Sequence, residues 1–307
     1  MPAVLVTGAG GFVGNHLAHY ITRKGCNARL CVLHRYSYDK LILGADYFPA
    51  DLDNYSVNYT NLLNKIDVVI HLAGKAHSKK YTKDEIYRSN YESTARLFDA
   101  CIVAGVKRFI YLSSAKIYEK NIGTGQDYYT DSKLQAEEYL NTAGAEHDIE
   151  VVILRSPLVY GPGVKANFLK LMQMIRLGLP LPFKAIVNRR SFVYVENLCD
   201  LLYACICRDK MNDRVILCVK DWDVSTPELI RMLARHLGVP ARLFPCPGWL
   251  LNTGFWLLGQ KENLARLTGS LVVDDSYTRK LLEWTPPVLP EVGIRRTVMW
   301  FKERMND

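Results

Sequence analysis

The sequence contains no long hydrophobic run. Its longest apolar stretch, residues 249–258, is interrupted by Asn252, Thr253 and Gly254 and is far shorter than the roughly 20 residues that a membrane-spanning helix needs. We therefore expect no transmembrane segment, although this stretch predicts a sticky apolar helix. The sequence also has no basic segment followed by an apolar one near residue 1, so we expect no secretory signal and a cytoplasmic location.

Patterns that hold metals, disulfides or nucleic acids are also missing. The seven histidines form no H-E-x-x-H or comparable cluster, so we expect no metal. No helix-turn-helix, finger or aromatic and basic platform is present, so nucleic acid is not an expected partner. The cysteines form no C-x-x-C pair, and several lie in apolar runs, which predicts buried reduced thiols. They are Cys26, Cys31, Cys101, Cys199, Cys205, Cys207, Cys218 and Cys246.

The composition that remains is that of an ordinary globular enzyme-sized chain. With 307 residues, 49% of them hydrophobic and 23% charged, the chain can build a full core and is long enough for two unequal lobes. The net charge of +8 suits anionic partners such as nucleotides, phosphosugars, nucleic acid or a membrane surface. A generally basic, solvated surface explains the same charge, and composition leaves these alternatives open.

Short β-rich runs alternate with helical patterns through the first half of the chain. The predicted strands are 3–7, 28–34, 67–71, 107–113 and 150–155, and the predicted helices between them are 15–24, 82–104 and 131–142. Such alternation predicts βαβ units and a doubly wound, mainly parallel α/β sheet of Rossmann type. We therefore predict a dinucleotide-binding domain over 1–155. A smaller α/β substrate lobe would occupy 156–307, with the segments 189–195 and 214–219 as strands that return to the main sheet.

A glycine motif follows the first predicted strand. Gly8, Gly11 and Gly14 form G-x-x-G-x-x-G directly before a helical pattern. In that context the glycines permit a tight turn and close approach of the backbone, while free N–H groups and the helix dipole face a pyrophosphate. This predicts a dinucleotide site.

The ends of the next strands refine the cofactor prediction. An NAD site usually has an acid at the end of the second strand, whereas this sequence has His34 and Arg35, which favours the 2′-phosphate of NADP(H) and leaves NAD(H) as an alternative. Asp51, followed by Leu52, would lie against the adenine amino group. The strand predicted at 67–71 ends in small residues, His71-Leu72-Ala73-Gly74, which would let the ribose and phosphates pass over the sheet.

A tyrosine and a lysine four residues apart share one helix face, where the ammonium can favour the phenolate. The spacing occurs three times, at Tyr20/Lys24, Tyr36/Lys40 and Tyr129/Lys133. Only the third pair opens a helix after the strand predicted at 107–113, and only that pair follows a strand-end serine pair, Ser113-Ser114, at the carboxyl edge where such sheets bind ligands.

Taken together, these motifs resemble the extended short-chain dehydrogenase/reductases, in the branch of nucleotide-sugar epimerases, dehydratases and reductases. The resemblance is carried by 7–14, 70–74, Asn90, 112–118, 129–133 and 155–163. The segments 164–168, 188–197 and 281–287 are similar to bacterial UDP-sugar enzymes of surface-polysaccharide synthesis, including UDP-N-acetylquinovosamine-forming 4-ketoreductases and 4-epimerases.

The resemblance implies roles for particular residues. Tyr129 would be the acid/base at the sugar O4, Lys133 would lower its pKa and hold the nicotinamide ribose, and Ser114 would hydrogen-bond the same sugar oxygen. Asn167 and Arg190 match positions that contact the substrate diphosphate, where the forked donors of Arg suit a pair of oxygens. The remaining cofactor positions implied by the resemblance are Phe12, Val13, Leu72, Ala73, Gly74, Asn90 and Ser156.

The sequence departs from the family between Ser114 and Tyr129, which are separated by only fourteen residues where the family usually has about ten more. The reaction therefore stays open. One reading is reduction of a UDP-4-keto-6-deoxy-hexosamine with NADPH, towards which the basic strand end points. A second is a UDP-glucose or UDP-N-acetylglucosamine 4-epimerase that retains NAD⁺, and a third is a catalytically silent NADP(H)-binding sensor or scaffold.

The resemblance also implies a homodimer, formed through the helical patterns 82–104 and 131–142. Related enzymes commonly pair these two helices across a twofold axis. The apolar side chains that we expect at this interface are Ile86, Leu97, Ile102, Leu134 and Tyr139.

Overall fold

The computed structural model describes residues 2–32, 45–76, 80–119, 127–211, 214–257, 259 and 261–305. Its contacts divide the chain into two compact units. Unit 1 comprises Met1–Ser156, Leu198–Val219 and Asp275–Thr285, and unit 2 comprises Pro157–Asn197, Lys220–Asp274 and Pro286–Asp307. The segments of each unit are therefore interleaved along the chain.

Unit 1 contains a seven-stranded parallel sheet. Its strands are β1 (Ala3–Thr7), β2 (Asn27–Val32), β3 (Ala45–Pro49), β4 (Val68–His71), β5 (Arg108–Ser114), β6 (Glu150–Ser156) and β9 (Arg214–Cys218). Their spatial order is β3-β2-β1-β4-β5-β6-β9, so the order reverses between β1 and β4. In an open parallel sheet, the crevice at such a reversal is where ligands bind, outside the carboxyl ends of the strands. The predicted doubly wound α/β fold is confirmed.

Nearly continuous apolar sequence explains the central strands, since a parallel sheet covered on both faces buries both sides of each strand. All four residues of β4 are buried, as are six of the seven in β5. The helices of unit 1 are α1 (Phe12–Arg23), α2 (Tyr59–Leu63), α3 (Lys83–Tyr87), α4 (Ser93–Ala104), α5 (Tyr128–Ala145), most of α7 (Val195–Cys207), and α11 (Ser276–Leu282).

The helix predicted over 82–104 is interrupted. The segment Arg88–Glu92 between α3 and α4 is a π-helical turn, and Ala115–Tyr118 after β5 is a short 3₁₀ helix. The helix α3 begins with a capping box, in which the Thr82 hydroxyl accepts from the Glu85 amide and the Glu85 carboxylate accepts from the Thr82 amide.

Unit 2 has a three-stranded sheet in the order β10-β8-β7, made of β7 (Leu158–Tyr160), β8 (Arg190–Tyr194) and β10 (Trp222–Val224). The expectation that 189–195 returns to the main sheet is therefore wrong, because β8 pairs with β7 and β10 instead. The other predicted strand, 214–219, joins the main sheet as β9. The helices of unit 2 are α6 (Ala166–Arg176), α8 (Thr226–Leu237), α9 (Gly248–Leu257), α10 (Lys261–Thr268) and α12 (Pro290–Arg304).

Within the described residues, no helix is both long and apolar enough to cross a membrane. No group of three or more His, Cys, Asp or Glu gathers there in a way that could hold a metal ion. The seven described cysteines are all free, and five of them are buried. Cys207 is exposed and Cys246 is partly exposed, so the prediction of buried thiols is wrong at these two positions.

Candidate active site at the carboxyl edge of the parallel sheet

The glycine motif forms the turn from β1 into α1. Gly8 has a φ of +68°, which only glycine adopts without strain, and the Gly11 amide donates to the Gly8 carbonyl at 2.9 Å. A Cβ on Gly8 would lie 2.7 Å from the Ala73 amide nitrogen, and one on Gly14 would lie 2.2 Å from the Gly8 oxygen. Side chains are therefore excluded where the turn packs against the end of β4 and against the first turn of α1.

The N-terminus of α1 suits an anion. No side chain in the described part of the chain caps this helix, and its first turn contains no acidic residue. No carboxylate in this turn therefore competes with a ligand for the positive end of the helix dipole. The amides that begin α1 belong to Phe12, Val13 and Gly14. The chain thus has a cradle of the shape and polarity that the pyrophosphate of a dinucleotide requires.

Behind the turn, a buried polar network ties the strand ends together. The Thr7 hydroxyl lies 2.7 Å from Nδ1 of His71, and the Thr94 hydroxyl lies 2.9 Å from Nε2 of the same ring. Burial, with a smaller effect of the charge on Lys133, lowers the pKa of His71 to about 3. The imidazole is therefore neutral, and it is a structural link rather than an acid or base.

Lys133 lies buried on α5 with its ammonium against β5. Its Nζ donates to the Leu112 carbonyl at 2.9 Å and is 4.4 Å from the centroid of the Tyr111 ring. Burial lowers the pKa of Lys133 to about 8, and the negative charge of Glu137 opposes this shift. A buried lysine with so low a pKa is typical of a functional site.

Tyr129 and Ser114 meet at the same edge. The Ser114 hydroxyl hydrogen-bonds with the Tyr129 phenol, and it also accepts from the Lys116 amide at 3.2 Å. Burial raises the pKa of Tyr129 above its ordinary value, and the hydrogen bond from Ser114 opposes the rise. The lowering of this pKa by Lys133, which the resemblance implies, stays a prediction: in the structure the ammonium donates to the Leu112 carbonyl and lies over the Tyr111 ring.

Asn90 connects the π-helical turn to the strand ends. Its Oδ1 accepts from the Lys75 amide at 2.7 Å, and its Nδ2 donates to the Ser132 hydroxyl at 3.0 Å. A Cβ on Gly74 would lie 2.9 Å from Asn90 Oδ1 and 3.6 Å from Lys133 Nζ. The tip of β4, the π turn and α5 therefore converge beside Lys133, and the sequence-predicted residues Gly74, Asn90 and Lys133 form one cluster.

Comparison with known proteins shows to which family the chain belongs. A profile of the NAD dependent epimerase/dehydratase family matches residues 4–217, which include the glycine turn and the Ser114, Tyr129 and Lys133 cluster. The chain belongs to this family. The resemblance to extended short-chain dehydrogenase/reductases is thereby confirmed, as is the prediction of an NAD-dependent enzyme of epimerase or oxidoreductase type.

Individual relatives align with this chain over nearly its whole length. A protein of Vibrio cholerae named UDP-glucose 4-epimerase is 36% identical over 99% of this chain and 97% of its own. A ceramide reductase of Caulobacter vibrioides is 27% identical over 97% of this chain and 94% of its own. The solved structure of UDP-glucuronic acid 4-epimerase from Bacillus cereus in complex with NAD shares the fold, with a TM-score of 0.79 at 21% identity, covering 98% of this chain and 99% of that one.

Several predicted residues lie apart from the cluster. Asp51 is exposed and its carboxylate accepts from the Asp53 amide, while Leu52 packs into the core of unit 1. Ser156 lies opposite Ser114 in the register of β5 and β6. His34 and Arg35 lie outside the described residues.

The two predicted substrate contacts belong to unit 2. Asn167 is in the first turn of α6, and Arg190 begins β8, where its Nη1 donates to the Gly269 carbonyl at 3.0 Å. Both side chains are partly exposed.

An ion pair that was not predicted from the sequence lies behind the cluster. Glu137, one helical turn after Lys133, is buried and accepts from both Nε and Nη2 of Arg155 at 3.1 and 2.6 Å. Arg155 also stacks over the Tyr118 ring at 4.9 Å. An acid four residues after Lys133 was a sequence signal for this pair, but its partner is distant in the chain. Lys116 likewise pairs with Asp127, the N-cap of α5.

Proposed function

We propose that the protein is an NAD-dependent 4-epimerase of a UDP-linked hexose. The observation that carries the proposal is the cluster of Ser114, Tyr129 and Lys133, in a chain that aligns from end to end with a UDP-glucose 4-epimerase. In such a reaction, NAD held by the glycine turn and Lys133 would supply reversible hydride transfer at C4 of the sugar. The residues of the chain must then move one proton at O4 and hold the sugar and the cofactor.

Tyr129 is proposed to take the proton from the sugar O4 and to give it back. Its side chain is half-buried at the edge of the sheet. Ser114, already hydrogen-bonded with the phenol, is positioned to donate to the same sugar oxygen and so to hold it beside the base.

Lys133 is proposed to hold the ribose of the cofactor and to stabilise the Tyr129 phenolate. The ammonium has donors beyond the one that the Leu112 carbonyl accepts, because a lysine carries three. The glycine turn and the N-terminus of α1 are proposed to bind the cofactor pyrophosphate, and Asn167 and Arg190 the diphosphate of the UDP-sugar. The cofactor positions Leu72, Ala73, Gly74, Asn90 and Ser156 remain proposals of the same kind.

Two measurements test this proposal: the cofactor that the purified protein retains, and its turnover of UDP-sugars. The protein, purified gently, should carry NAD detectable by mass spectrometry, and it should interconvert UDP-glucose and UDP-galactose, or their N-acetylated forms, with no cofactor added. Replacing Tyr129 by Phe should lower kcat by about 100-fold or more, since general acid–base catalysis commonly contributes that much. The matched control is Tyr128→Phe, which removes the same hydroxyl from the preceding residue. The Tyr128 ring lies by Lys83. A loss under tenfold for Tyr129→Phe contradicts the assignment.

A second candidate is the NADPH-dependent reduction of a UDP-4-keto-6-deoxy-hexosamine. It is favoured by His34 and Arg35, which follow β2 in the sequence, where NAD sites usually have an acid. The 27% identical ceramide reductase is a relative named for reduction over nearly the same length. In this reaction Tyr129 gives its proton to O4 once and is reprotonated from solvent. Stoichiometric consumption of NADPH by a 4-keto sugar, without formation of an epimer, distinguishes it from the first candidate.

Cofactor preference provides a separate prediction. If Arg35 contacts a 2′-phosphate, NADPH should bind more tightly than NADH, and Arg35→Asp should cost about 1.5–3 kcal/mol of NADPH affinity through loss of a charge-assisted hydrogen bond. Calorimetry with both cofactors measures this. Lys40→Asp is a control for the change of charge in the same part of the sequence. Equal affinities in the unmodified protein contradict the NADP(H) preference and leave the epimerase as the better proposal.

A further inference from the structure

The helix α9 exposes an unusually apolar face. Its sequence, GWLLNTGFWL, has no charged residue. Trp249 is 69% exposed, Trp256 57% and Leu257 72%, and Leu250 is also exposed. At 100° per residue these four side chains fall on one face of the helix with Thr253, while Leu251, which is buried, and Phe255 fall on another. Two tryptophans and two leucines thus point away from unit 2.

The inner face of α9 is anchored, so the outer face is held in place. The Phe255 ring lies 6.4 Å from the Phe183 ring. The segment that contains Phe183 pairs with the one that precedes α9, since the Leu181 amide donates to the Arg242 carbonyl and the Phe244 amide to the Leu181 carbonyl. We call this part of unit 2, residues 177–187 and 241–257, the α9 surface.

Cations accompany the apolar side chains on the α9 surface. Lys184 and Arg242 are both exposed within it, and Phe244 adds another exposed ring. The net charge of the chain is also concentrated in unit 2. Its segments contain sixteen Lys and Arg against nine Asp and Glu, a net +7 of the total +8. The apolar face therefore belongs to the strongly basic unit.

We propose that the α9 surface binds the interface of an anionic phospholipid bilayer. Tryptophan favours the membrane–water interface, where its ring is buried and its N–H stays hydrogen-bonded. A ten-residue helix is too short to span a bilayer, but its apolar face can lie in the headgroup region while nearby Lys and Arg meet anionic lipids. A second copy of this chain fits the α9 surface less well, because association through it would bring together two units of charge +7.

Vesicle binding tests the proposal on the intact protein. It should co-sediment with vesicles of phosphatidylcholine and phosphatidylglycerol, and at least tenfold less with pure phosphatidylcholine. Raising the salt from about 0.1 to 0.5 M should weaken binding severalfold, because exposed charges are screened. Lipids brominated on their acyl chains should quench the tryptophan fluorescence of the unaltered protein, since Trp249 and Trp256 would enter the bilayer.

Variants locate the binding surface. The double variant Trp256→Ser/Leu257→Ser should lower partitioning into anionic vesicles at least tenfold. The matched control, Leu289→Ser, alters a leucine of unit 2 that is exposed to almost the same extent, 70% against 72%, outside the α9 surface. All of these side chains are exposed, so circular dichroism and Tm should remain those of the unaltered protein.

Three outcomes overturn the proposal. One is failure of the unaltered protein to bind anionic vesicles, and another is equal binding by the double variant. The third is self-association in light scattering that the double variant abolishes, with no quenching by brominated lipid. That result would make the α9 surface an interface between copies of the chain.

Discussion

Lys133 places a positive charge in the interior of unit 1, where water does not solvate it. Its side chain is 5% exposed, and its neighbours are the Leu112 carbonyl, the Tyr111 ring and, one turn along α5, Glu137. The neutral His71, Gly74 and Asn90 also lie close by. The carbonyl and the ring compensate only part of the lost hydration, so the pKa of Lys133 falls to about 8.

This lowered pKa makes the stability of the protein depend on pH. Between about pH 8 and 10.5 the unfolded chain holds the Lys133 proton and the folded chain does not, so stability rises with pH across that window. Below pH 8 the charged ammonium costs folding free energy. We expect Lys133→Met to be more stable than the unaltered protein at pH 7 and to lose that advantage by pH 10. Denaturant midpoints at both values of pH measure the difference.

The control for the Lys133→Met prediction is Lys107→Met. Lys107 is a surface lysine that forms an ion pair with Asp67. Its effect on stability should hardly change between pH 7 and 10. Tyrosines that do not contact Lys133 titrate equally in all three proteins, so they cancel from the comparison. A constant difference between Lys133→Met and the unaltered protein would mean that Lys133 is solvated. The Lys133→Met variant should also bind the cofactor less tightly and turn over more slowly. The Lys133 ammonium is proposed both to hold the cofactor ribose and to stabilise the Tyr129 phenolate.

At the scale of elements, the turn from β1 to α1 is the most constrained part of unit 1. We expect Gly14→Ala to disrupt it, because its Cβ would lie 2.2 Å from the Gly8 carbonyl oxygen and backbone atoms must move. The variant should lose cofactor affinity at least tenfold and also lose stability. Calorimetric titration with NAD and thermal unfolding measure the two effects.

Gly254→Ala is the matched control for Gly14→Ala. It also lies within a helix, but a Cβ there would meet nothing within 4 Å. Its expected effect is neutral or stabilising by about 0.5–1 kcal/mol, which is the usual gain for Ala over Gly in a helix. Wild-type affinity in Gly14→Ala would contradict the role of the turn.

The helices and strands also show which parts of the fold could be predicted from the sequence. The apolar runs and the glycine spacing predict β1, β4 to β6 and the turn, because strand burial and glycine conformation are local properties. The π-helical turn Arg88–Glu92 is not predictable from periodicity. Its Asn90 carbonyl accepts from the Thr94 hydroxyl at 2.8 Å and from Tyr111 of β5, and the second of these contacts needs the folded sheet. Folding likewise brings Arg155 of β6 to Glu137 of α5.

At the scale of the whole molecule, the proposed dimer must be built from fewer apolar side chains than the sequence suggested. Ile86 and Leu97 are completely buried within unit 1 and are unavailable to a partner, so that part of the expectation is wrong. Ile102 and Leu134 are half-buried, whereas Val103, at the end of α4, is 89% exposed. Tyr139 is tied to Asp99 by a 2.5 Å hydrogen bond.

We expect light scattering at micromolar concentration to give a mass near twice 35.0 kDa. Leu134→Glu should shift this towards the monomer, since a charge inside an apolar contact between α4 and α5 would be left unpaired. Leu289→Glu, which alters an exposed leucine of unit 2, is the control and should leave the mass unchanged. A single mass near 35.0 kDa for the unaltered protein contradicts the dimer.

The interleaving of the two units sets the order in which the parallel sheet can be completed during synthesis. The strand β9 pairs with β6, yet the whole β7–β8 segment of unit 2 is translated between them, and α11 comes later still. At about 5–20 residues per second, β6 waits several seconds for β9 on the ribosome with its outer edge unpaired. An exposed β edge is a template for wrong pairing. The outer edge of β6 is therefore open to wrong pairing while the chain is extended from residue 156 to residue 218.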